Sequence, residues 1–492
     1  MKRYLLVLLA AFVLCVPELV FAQAELSSFT ATGKAGTATT AVSDYQCLGI
    51  NPANLAWKLP FDEKRGTIGF FELGFSAHSD AMNKSTLKSA IFNSNDAFSN
   101  EDKTRAALEF AGKGLSINAD FMYGGIAFQS PKGGQGFAFN VRERMQWYAK
   151  IGPTASELLF KGYRATLNNL PLFLAPIADI NGDSIALINP ALVDTNSLVN
   201  ALSASNLLAG TKISYSWTRE FNAGYGLELY ADDDVQLGAG VGFRFIQSMG
   251  YVDVNAERGD LRALAALSPG LEVKFAQQWL NPSADTVNRG FIPEAIGNGF
   301  GFDAGFSFLY KDKLRVGVAV NNIGNLTYRS NVYRAYDSLV YFLKTDGFQN
   351  FDFIKDPKQF ESLGKGLIGW EGQKEIRTTL PANLRMGVSY TLTEKVDVGG
   401  ELMVPLNNAP GNIGRLYQAL GVEYKLLPWL RLSGGVIYGG NFFSRAAFPA
   451  GIVIIAGDGS WDFGVATRDF VTYFRQKSPI VSLSTGFLRF RF

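Results

Sequence analysis

Strict alternation of apolar residues with small or polar ones is the feature that most limits how this chain can fold. Between Val235 and Phe245 every odd position is apolar, whereas the even positions carry Gln, Gly, Gly, Gly and Arg. The same period of two recurs at 115–123, 300–308 and 384–390. Because successive side chains of a β-strand point to opposite faces, each segment is predicted to be a strand with one apolar face.

The length of these strands favours a membrane-spanning barrel. Tilted strands of about 9 to 11 residues cross a bilayer, and no apolar run after residue 22 approaches the roughly 20 residues of a membrane-spanning helix. Charged residues make up only 18% of the chain, below the roughly one quarter of a soluble domain. Since a sheet in lipid must close on itself, we predict an all-β, transmembrane antiparallel β-barrel of about 14 strands between Thr67 and Phe492.

A large soluble β-sandwich is the alternative, because half-buried strands of a sandwich also alternate. The polar faces here are unusually rich in glycine and hydroxyl groups, which is typical of a crowded barrel interior. Aromatic residues also fall near strand ends, where an interfacial girdle would place them. These residues are Trp429, Tyr438, Trp461 and Tyr473. Both observations favour the barrel.

Both ends of the sequence carry patterns of export and assembly. Lys2 and Arg3 precede the apolar run Tyr4–Val16, so residues 1–22 are predicted to be a cleaved signal peptide. The last strand alternates Leu488, Phe490 and Phe492 with arginines, which resembles the C-terminal signal recognised by the barrel-assembly machinery of bacterial outer membranes. The predicted location is therefore the bacterial outer membrane, with its lipid as a partner.

Three stretches do not alternate and are predicted to be outer-loop insertions of a single barrel domain, residues 61–492. They lie at about 80–113, 152–208 and 329–378. The first is predicted to contain a helix capped by Asn100 and ended by Gly112. Inner turns are predicted to be short, as at 232–234, and the glycine pair at 124–125, where the alternation shifts, predicts a β-bulge.

The N-terminal segment 23–60 carries a resemblance to a known family. Its sequence ATGKAGTATTAVSDYQCLGINPANLAW, together with GVAVNNIGNLTY (317–328) and LPANLRMGVSY (380–390), resembles motifs of the FadL and TodX type of outer-membrane transporter, including PorV-like relatives associated with type IX secretion. The resemblance implies that 23–60 forms a hatch inside the barrel and that Asn51, Pro52 and Ala53 are its hatch motif. Whether the hatch gates the barrel or only fills it is open at this stage, because Asn51-Pro52 could also be a simple turn.

The resemblance implies passive uptake of hydrophobic small molecules. One alternative is a PorV-like accessory barrel that binds secreted proteins or a translocon of a secretion system. Another is a structural barrel with no ligand beyond lipid. The near balance of 46 basic and 44 acidic residues predicts no nucleic-acid partner.

No enzymatic chemistry is predicted. His78 is the single histidine and is interpreted as an ordinary residue at a loop end, so no catalytic residue, metal site or cofactor is assigned. Cys47 is predicted to be a small buried apolar side chain. The segment Asp179–Ser184 has three oxygen ligands at calcium-loop spacing but lacks the glycine and the acid that follow, so a polar turn is favoured.

Overall fold

The computed structural model describes residues 27–57, 64–92, 97–130, 134–167, 170–178, 184–189, 203–269, 293–343, 345–351, 368–412, 416–440 and 446–492. Among these residues, no helix combines the length and the apolar character needed to cross a membrane. The predicted signal peptide and the calcium-like segment at 179–183 lie outside the described residues.

Fourteen antiparallel strands pair in chain order and close into a barrel. The ring closes where β1 pairs with β14, with Ile68 opposite Phe490 and His78 opposite Ile480. The predicted fold class, an antiparallel transmembrane barrel of about 14 strands, is thereby confirmed. The strands are β1 Gly66–Ser79, β2 Gly114–Gln129, β3 Gln135–Lys150, β4 Thr211–Ala231, β5 Val235–Glu257, β6 Gly297–Tyr310, β7 Leu314–Tyr328, β8 Asn383–Thr393, β9 Val396–Pro405, β10 Tyr417–Leu427, β11 Leu430–Gly439, β12 Ala450–Ala456, β13 Trp461–Thr467 and β14 Ile480–Arg491.

The two faces of the strands meet different surroundings. Along β6 the exposed and buried positions alternate without interruption over most of the strand, and Phe300, Phe302 and Phe306 on its outer face are each more than half exposed. The buried positions of the same strand face the lumen and include Gly301 and Asp303. An exposed aromatic and aliphatic outer surface on a closed barrel is the surface that lipid covers.

The two rims differ in the length of their connections. At the rim that holds Gly66 and Phe492, consecutive strands are joined by turns of two to five residues, including the predicted turn at 232–234. The opposite rim carries the long connections, including those at 80–113, 151–210 and 329–382. A fourth long connection, 258–296, was not predicted. It begins with a strand, Asp260–Leu267, that folds back onto β5; its first four residues alternate as a wall strand does, and the last four are all apolar.

The long connections form a folded outer layer. Its helices are α2 Lys84–Phe92, α3 Asn100–Phe110, α4 Pro153–Lys161 and α5 Ala204–Leu207, and its short 3-10 helices are Gly162–Arg164 and Phe470–Phe474. Its short strands are Thr166–Leu167, Leu170–Pro171, Ile177–Ala178, Ser184–Leu187, Asp260–Leu267, Val332–Tyr336, Phe342–Leu343, Gly369–Gly372 and Ile376–Thr379. Phe110, Leu158 and Phe160 are buried in one continuous apolar core with the outer ends of the strands.

The helix predicted in the first insertion is present, but its cap is displaced by one residue. Ser99, not Asn100, is the N-cap: its hydroxyl accepts from the Asp102 amide at 3.1 Å, and the Asp102 carboxylate accepts from the Ser99 amide at 3.0 Å. This reciprocal pair gives partners to two backbone amides, whereas an Asn100 cap alone would give a partner to one. The helix therefore begins after Ser99.

The predicted bulge is confirmed. The register between β2 and β3 shifts between Met122 and Gly124, leaving Tyr123 unpaired. Opposite it, Phe71 of β1 is skipped as well and adopts a left-handed backbone with φ of 56°. Because each bulge adds one residue, the alternation resumes with its parity exchanged.

Candidate functional site

The N-terminal residues 27–57 lie inside the barrel and form the hatch. The hatch contains one short α-helix, α1 Phe29–Gly33, and two 3-10 helices, Tyr45–Cys47 and Pro52–Ala56. Polar residues start each of them: Ser28 caps α1, Asp44 accepts from the Gln46 amide, and Asn51 caps the last helix. The hatch shows no alternation because barrel walls surround it, so nearly every hatch residue is buried whatever its polarity.

Asn51 joins the hatch to the wall at the predicted motif. Its Oδ1 accepts from the Ala53 amide at 3.2 Å, while its Nδ2 donates to the carbonyls of Thr39 and Phe306, each at 3.2 Å. Pro52 occupies the first helical position, where no amide donor is required. The Asn-Pro turn and the wall contact are thus both present.

Glycines of the strands form the seat of the hatch. A Cβ atom at Gly240 would lie 2.3 Å from the Ala53 nitrogen, one at Gly305 would lie 2.1 Å from Asn51 Oδ1, and one at Gly421 would lie 2.2 Å from the Lys34 carbonyl. Real Cβ atoms do not approach so closely. The glycine-rich inner faces therefore exist because backbone of the hatch lies directly against backbone of the barrel.

Charged groups fix the hatch to strands around the ring. Asp44 accepts from the Arg489 guanidinium on β14, which also contacts Asp462 at 2.7 Å. Lys34 lies 2.7 Å from Glu423 on β10. The Thr39 amide donates to Glu401 on β9 at 3.2 Å. Since all these carboxylates are buried, removing one partner would leave an uncompensated charge.

A cavity lies in the lumen between the hatch and the outer loops. Gly49 of the hatch contributes to its lining. One part of its wall is apolar or aromatic: Ile246, Tyr251, Leu326, Tyr328 and Leu380. Another part is polar: Arg144, Thr218, Glu220, Asn322, Asn383 and Arg385.

The cavity charges are balanced by neighbouring groups. Arg144 lies 2.9 Å from Asp120 and 3.8 Å from Glu220, and Arg385 lies 3.0 Å from Glu401. Because each of these cations already has an anionic partner, the cavity offers no cation reserved for an anionic ligand. The lining therefore offers a small molecule both apolar contacts and hydrogen-bonding groups.

The predicted C-terminal residues lie on the lipid side of the barrel. Leu488, Phe490 and Phe492 are 40%, 40% and 60% exposed, and the Phe492 ring lies 6.1 Å from that of Phe128. The Phe492 backbone also exchanges hydrogen bonds with Gly66, at 2.9 and 3.0 Å, across the seam between the first and last strands. Their role as an assembly signal stays a prediction.

Two single residues can now be placed. Cys47 is fully buried in the hatch, as predicted. His78 is the penultimate residue of β1, at the strand end where the sequence places it, but it is only 4% exposed, and its Nδ1 lies 3.1 Å from the Pro479 carbonyl. Pairing of β1 with β14 buries a position that looks terminal in the sequence. Among the described residues no cluster of three potential metal ligands occurs.

The cavity itself was not predicted from the sequence. Its lining comes from the hatch, six strands and two outer connections, and several members, such as Thr218 and Asn383, lie in ordinary alternating segments. No spacing along the chain marks them, because closure of the ring alone brings them together.

Comparisons with known proteins give the following similarities. Residues 177–409 match a family of unknown function, DUF5723. A mutant of the TodX monoaromatic hydrocarbon channel is 10% identical, with 94% of this chain and 97% of that chain covered and a TM-score of 0.46. The Ralstonia pickettii toluene transporter TbuX is 12% identical, with 94% and 98% covered and a TM-score of 0.41. A Pseudomonas aeruginosa FadL homologue is 11% identical, with 96% and 98% covered and a TM-score of 0.42. Curated protein sequences give no match.

Proposed function

We propose that this protein is a passive channel of a bacterial outer membrane for small molecules with an apolar body. The molecule enters from the rim that carries the long connections, occupies the cavity, and passes inward when the hatch shifts. The supporting observation is the position of the cavity, which lies in the lumen with Gly49 of the hatch in its lining. A channel without a coupled energy source runs down the gradient of its substrate.

The walls of the cavity support the substrate class. Tyr251 and Tyr328, whose ring centroids lie 5.0 Å apart, offer faces and edges on which a ring or an alkyl chain packs. The balanced ion pairs of Arg144 and Arg385 favour an uncharged molecule. Toluene and other monoaromatic hydrocarbons, named in the descriptions of the similar channels, belong to this class.

The test is mass spectrometry of the protein extracted from its own membrane in mild detergent. We expect a stoichiometric apolar small molecule in the native protein and none in Thr218→Trp, where the indole fills the cavity. Ala223→Trp is the matched control, because Ala223 lies on the same strand but on its outer face, and it should keep the molecule. Retention by Thr218→Trp would place the molecule elsewhere and contradict the proposal.

A second candidate, an accessory barrel that binds secreted proteins or a translocon, is favoured by a separate observation. In the outer layer, Ile177 and Leu187 on neighbouring strands are 55% and 42% exposed, and Tyr341, just before the strand Phe342–Leu343 that pairs beside them, is 66% exposed. Exposed apolar side chains on adjacent strands are typical of protein interaction sites. A stoichiometric protein in the same extract, lost in Tyr341→Ser, would support this candidate in place of the channel.

A further inference from the structure

The aromatic wall of the cavity contains two tyrosines that the alternation of their strands would place on the lipid side. In the first part of β5 the odd positions face outward, with Val241 and Phe243 at 61% and 41% exposure. Tyr251 is also an odd position, yet it lines the cavity and is only 4% exposed. On β7 the even position Val318 is 40% exposed, whereas the even position Tyr328 lines the cavity. Both strands therefore exchange their inner and outer faces along their length.

A β-bulge in each strand causes this exchange. On β5 the register with β4 shifts by one residue at Met249. On β7 two residues, Asn321 and Asn322, lie opposite the single Asp303 of β6, and Asn322 has a left-handed backbone with φ of 61°. Because one extra residue moves every following side chain to the other face, side chains that would face lipid enter the lumen. The two bulges thus build the aromatic wall of the cavity.

Two polar atoms of residues that line the cavity have no hydrogen-bond partner in the part of the chain that the structure describes. They are Tyr251 Oη and Asn383 Oδ1, and both atoms are buried. The Tyr251 ring packs beside that of Tyr328, with 5.0 Å between centroids, so the ring is held while its hydroxyl is unused. Asn383 Nδ2 donates to the Pro381 carbonyl at 3.4 Å, which leaves its Oδ1 as an acceptor. Because a buried polar atom without a partner is unfavourable, these two atoms indicate that a bound molecule supplies one.

The chemistry of the two atoms restricts what that molecule can be. A hydrocarbon would leave both Tyr251 Oη and Asn383 Oδ1 without a partner. A carboxylate could accept from Tyr251 but could not donate to Asn383. It would also meet Arg144 and Arg385 already paired with carboxylates on neighbouring strands. A hydroxyl group both donates and accepts, so it can be the partner of either atom without bringing a charge.

We propose that the cavity selects uncharged small molecules whose apolar body carries a hydroxyl group, and that Tyr251 determines this preference. The apolar body packs against the aromatic wall, and the oxygen of the ligand hydroxyl accepts from Tyr251 Oη. Asn383 Oδ1 accepts from a hydroxyl that lies on its side of the cavity. This inference rests on the proposed channel function and narrows its substrate class to hydroxylated compounds such as phenols.

The test is equilibrium dialysis of the full chain in mild detergent against para-cresol, toluene or benzoate. Tyr251→Phe keeps the ring and removes the hydroxyl, so it should weaken binding of para-cresol about fivefold, the usual contribution of one hydrogen bond, and leave binding of toluene unchanged. Asn383→Leu should also weaken binding of para-cresol and not of toluene. Benzoate should bind the native protein more weakly than para-cresol does. The heat-dependent shift of the folded barrel on a denaturing gel verifies that every variant is folded.

Tyr148→Phe is the matched control, because Tyr148 is a buried tyrosine of β3 outside the cavity lining that the structure describes. It should bind para-cresol and toluene as the native protein does. Unchanged binding of para-cresol in Tyr251→Phe, or an equal loss of para-cresol and toluene, would overturn the inference. So would tighter binding of benzoate than of para-cresol by the native protein.

Thr218→Trp separates a failure of this inference from a failure of the proposed function. If it abolishes binding of both para-cresol and toluene while Tyr251→Phe does not distinguish them, the cavity binds apolar molecules and only the preference for a hydroxyl is wrong. Binding of both probes that survives Thr218→Trp would contradict the cavity as the binding site, and the inference would fall with it.

Discussion

At the scale of single residues, contact between the backbone of the hatch and the backbone of the strands explains why the lumen is lined with glycine. Inward glycines are usually explained by crowding among side chains, but here the hatch backbone itself lies within van der Waals distance of the strands. The glycine pattern predicted a small inner face and the family resemblance predicted a hatch inside the barrel, but neither showed which hatch residue lies against which glycine. The partners of Gly240 and Gly305 are some 190 and 250 positions away in the chain and become neighbours only in the closed barrel.

Gly240→Ala should loosen the hatch, because its methyl group would overlap the Ala53 nitrogen and the Pro52 carbonyl carbon, both 2.3 Å away. Overpacking of this kind typically costs about 1–3 kcal/mol of unfolding free energy. The expected result is a lower unfolding temperature and a higher ion conductance in planar bilayers. Gly400→Ala serves as the control, since its Cβ would meet its nearest neighbour at 3.5 Å. Equal conductance in both variants would argue against a seat at Gly240.

Asn51→Ala removes the cap of the last hatch helix and two bonds to carbonyls. We expect a loss of about 1–3 kcal/mol of unfolding free energy, because the cap and the bond from the hatch to the Phe306 carbonyl are lost, although Asn54 still donates to the Thr39 carbonyl. Asn51→Asp keeps the capping oxygen but not the donors, so it should recover only part of that loss. Denaturant unfolding of the two variants against native protein measures the difference, and identical curves for all three would refute a structural role for the motif.

At the scale of elements, the strands were more predictable than the loops. Alternation marks a strand locally, and so β5, β6 and the bulge in β2 could be predicted. The strand Asp260–Leu267 alternates only in its first half and lies outside the barrel wall, and the buried position of His78 depends on its partner β14. The alternation of apolar and polar residues predicts which face of a strand is apolar, but it does not predict which neighbouring element covers that face.

Helix α3 allows a prediction on pH. Hydrogen bonds from the Ser99 hydroxyl and amide lower the pKa of Asp102 below its usual value. A lowered pKa in the folded state means that the cap stabilises the helix above the unfolded pKa of about 4 and loses this effect as the pH falls through the folded value. Amide hydrogen exchange in the first turn of α3 should accelerate over that range, relative to the intrinsic rate. Ser99→Ala removes the hydroxyl but keeps the backbone amide donor, so it should weaken the pH dependence, and an unchanged profile would contradict the assignment of the cap.

At the scale of the whole molecule, closure of the ring is the property on which the rest depends. The cavity, the hatch seat and the outer layer each draw on strands from distant parts of the chain, so a barrel that opens loses all of them together. The number of strands and the apolar face of each strand could be predicted from local sequence. The residues that line the cavity could not, because they come from strands that are distant in the chain.

Closure predicts resistance to detergent. Unboiled protein should migrate differently from boiled protein on a denaturing gel, because no edge strand is available for unfolding to begin. Phe492→Ala should reduce the folded fraction recovered in the membrane, since the ring covers Gly66 and packs near Phe128 at the seam. Phe487→Ala on the outer face of the same strand is the control, and an equal effect of both variants would indicate general loss of apolar surface.

The bond between Asp44 and Arg489 spans 445 positions of the chain. Loops of that size close slowly, and a contact of such high sequence separation forms late in folding. Because Arg489 belongs to the last strand, the hatch completes its native contacts only after that strand has been made. The N-terminal residues, although synthesised first, are therefore among the last to reach their native contacts. The innermost part of the folded barrel is thus completed by the two ends of the chain together.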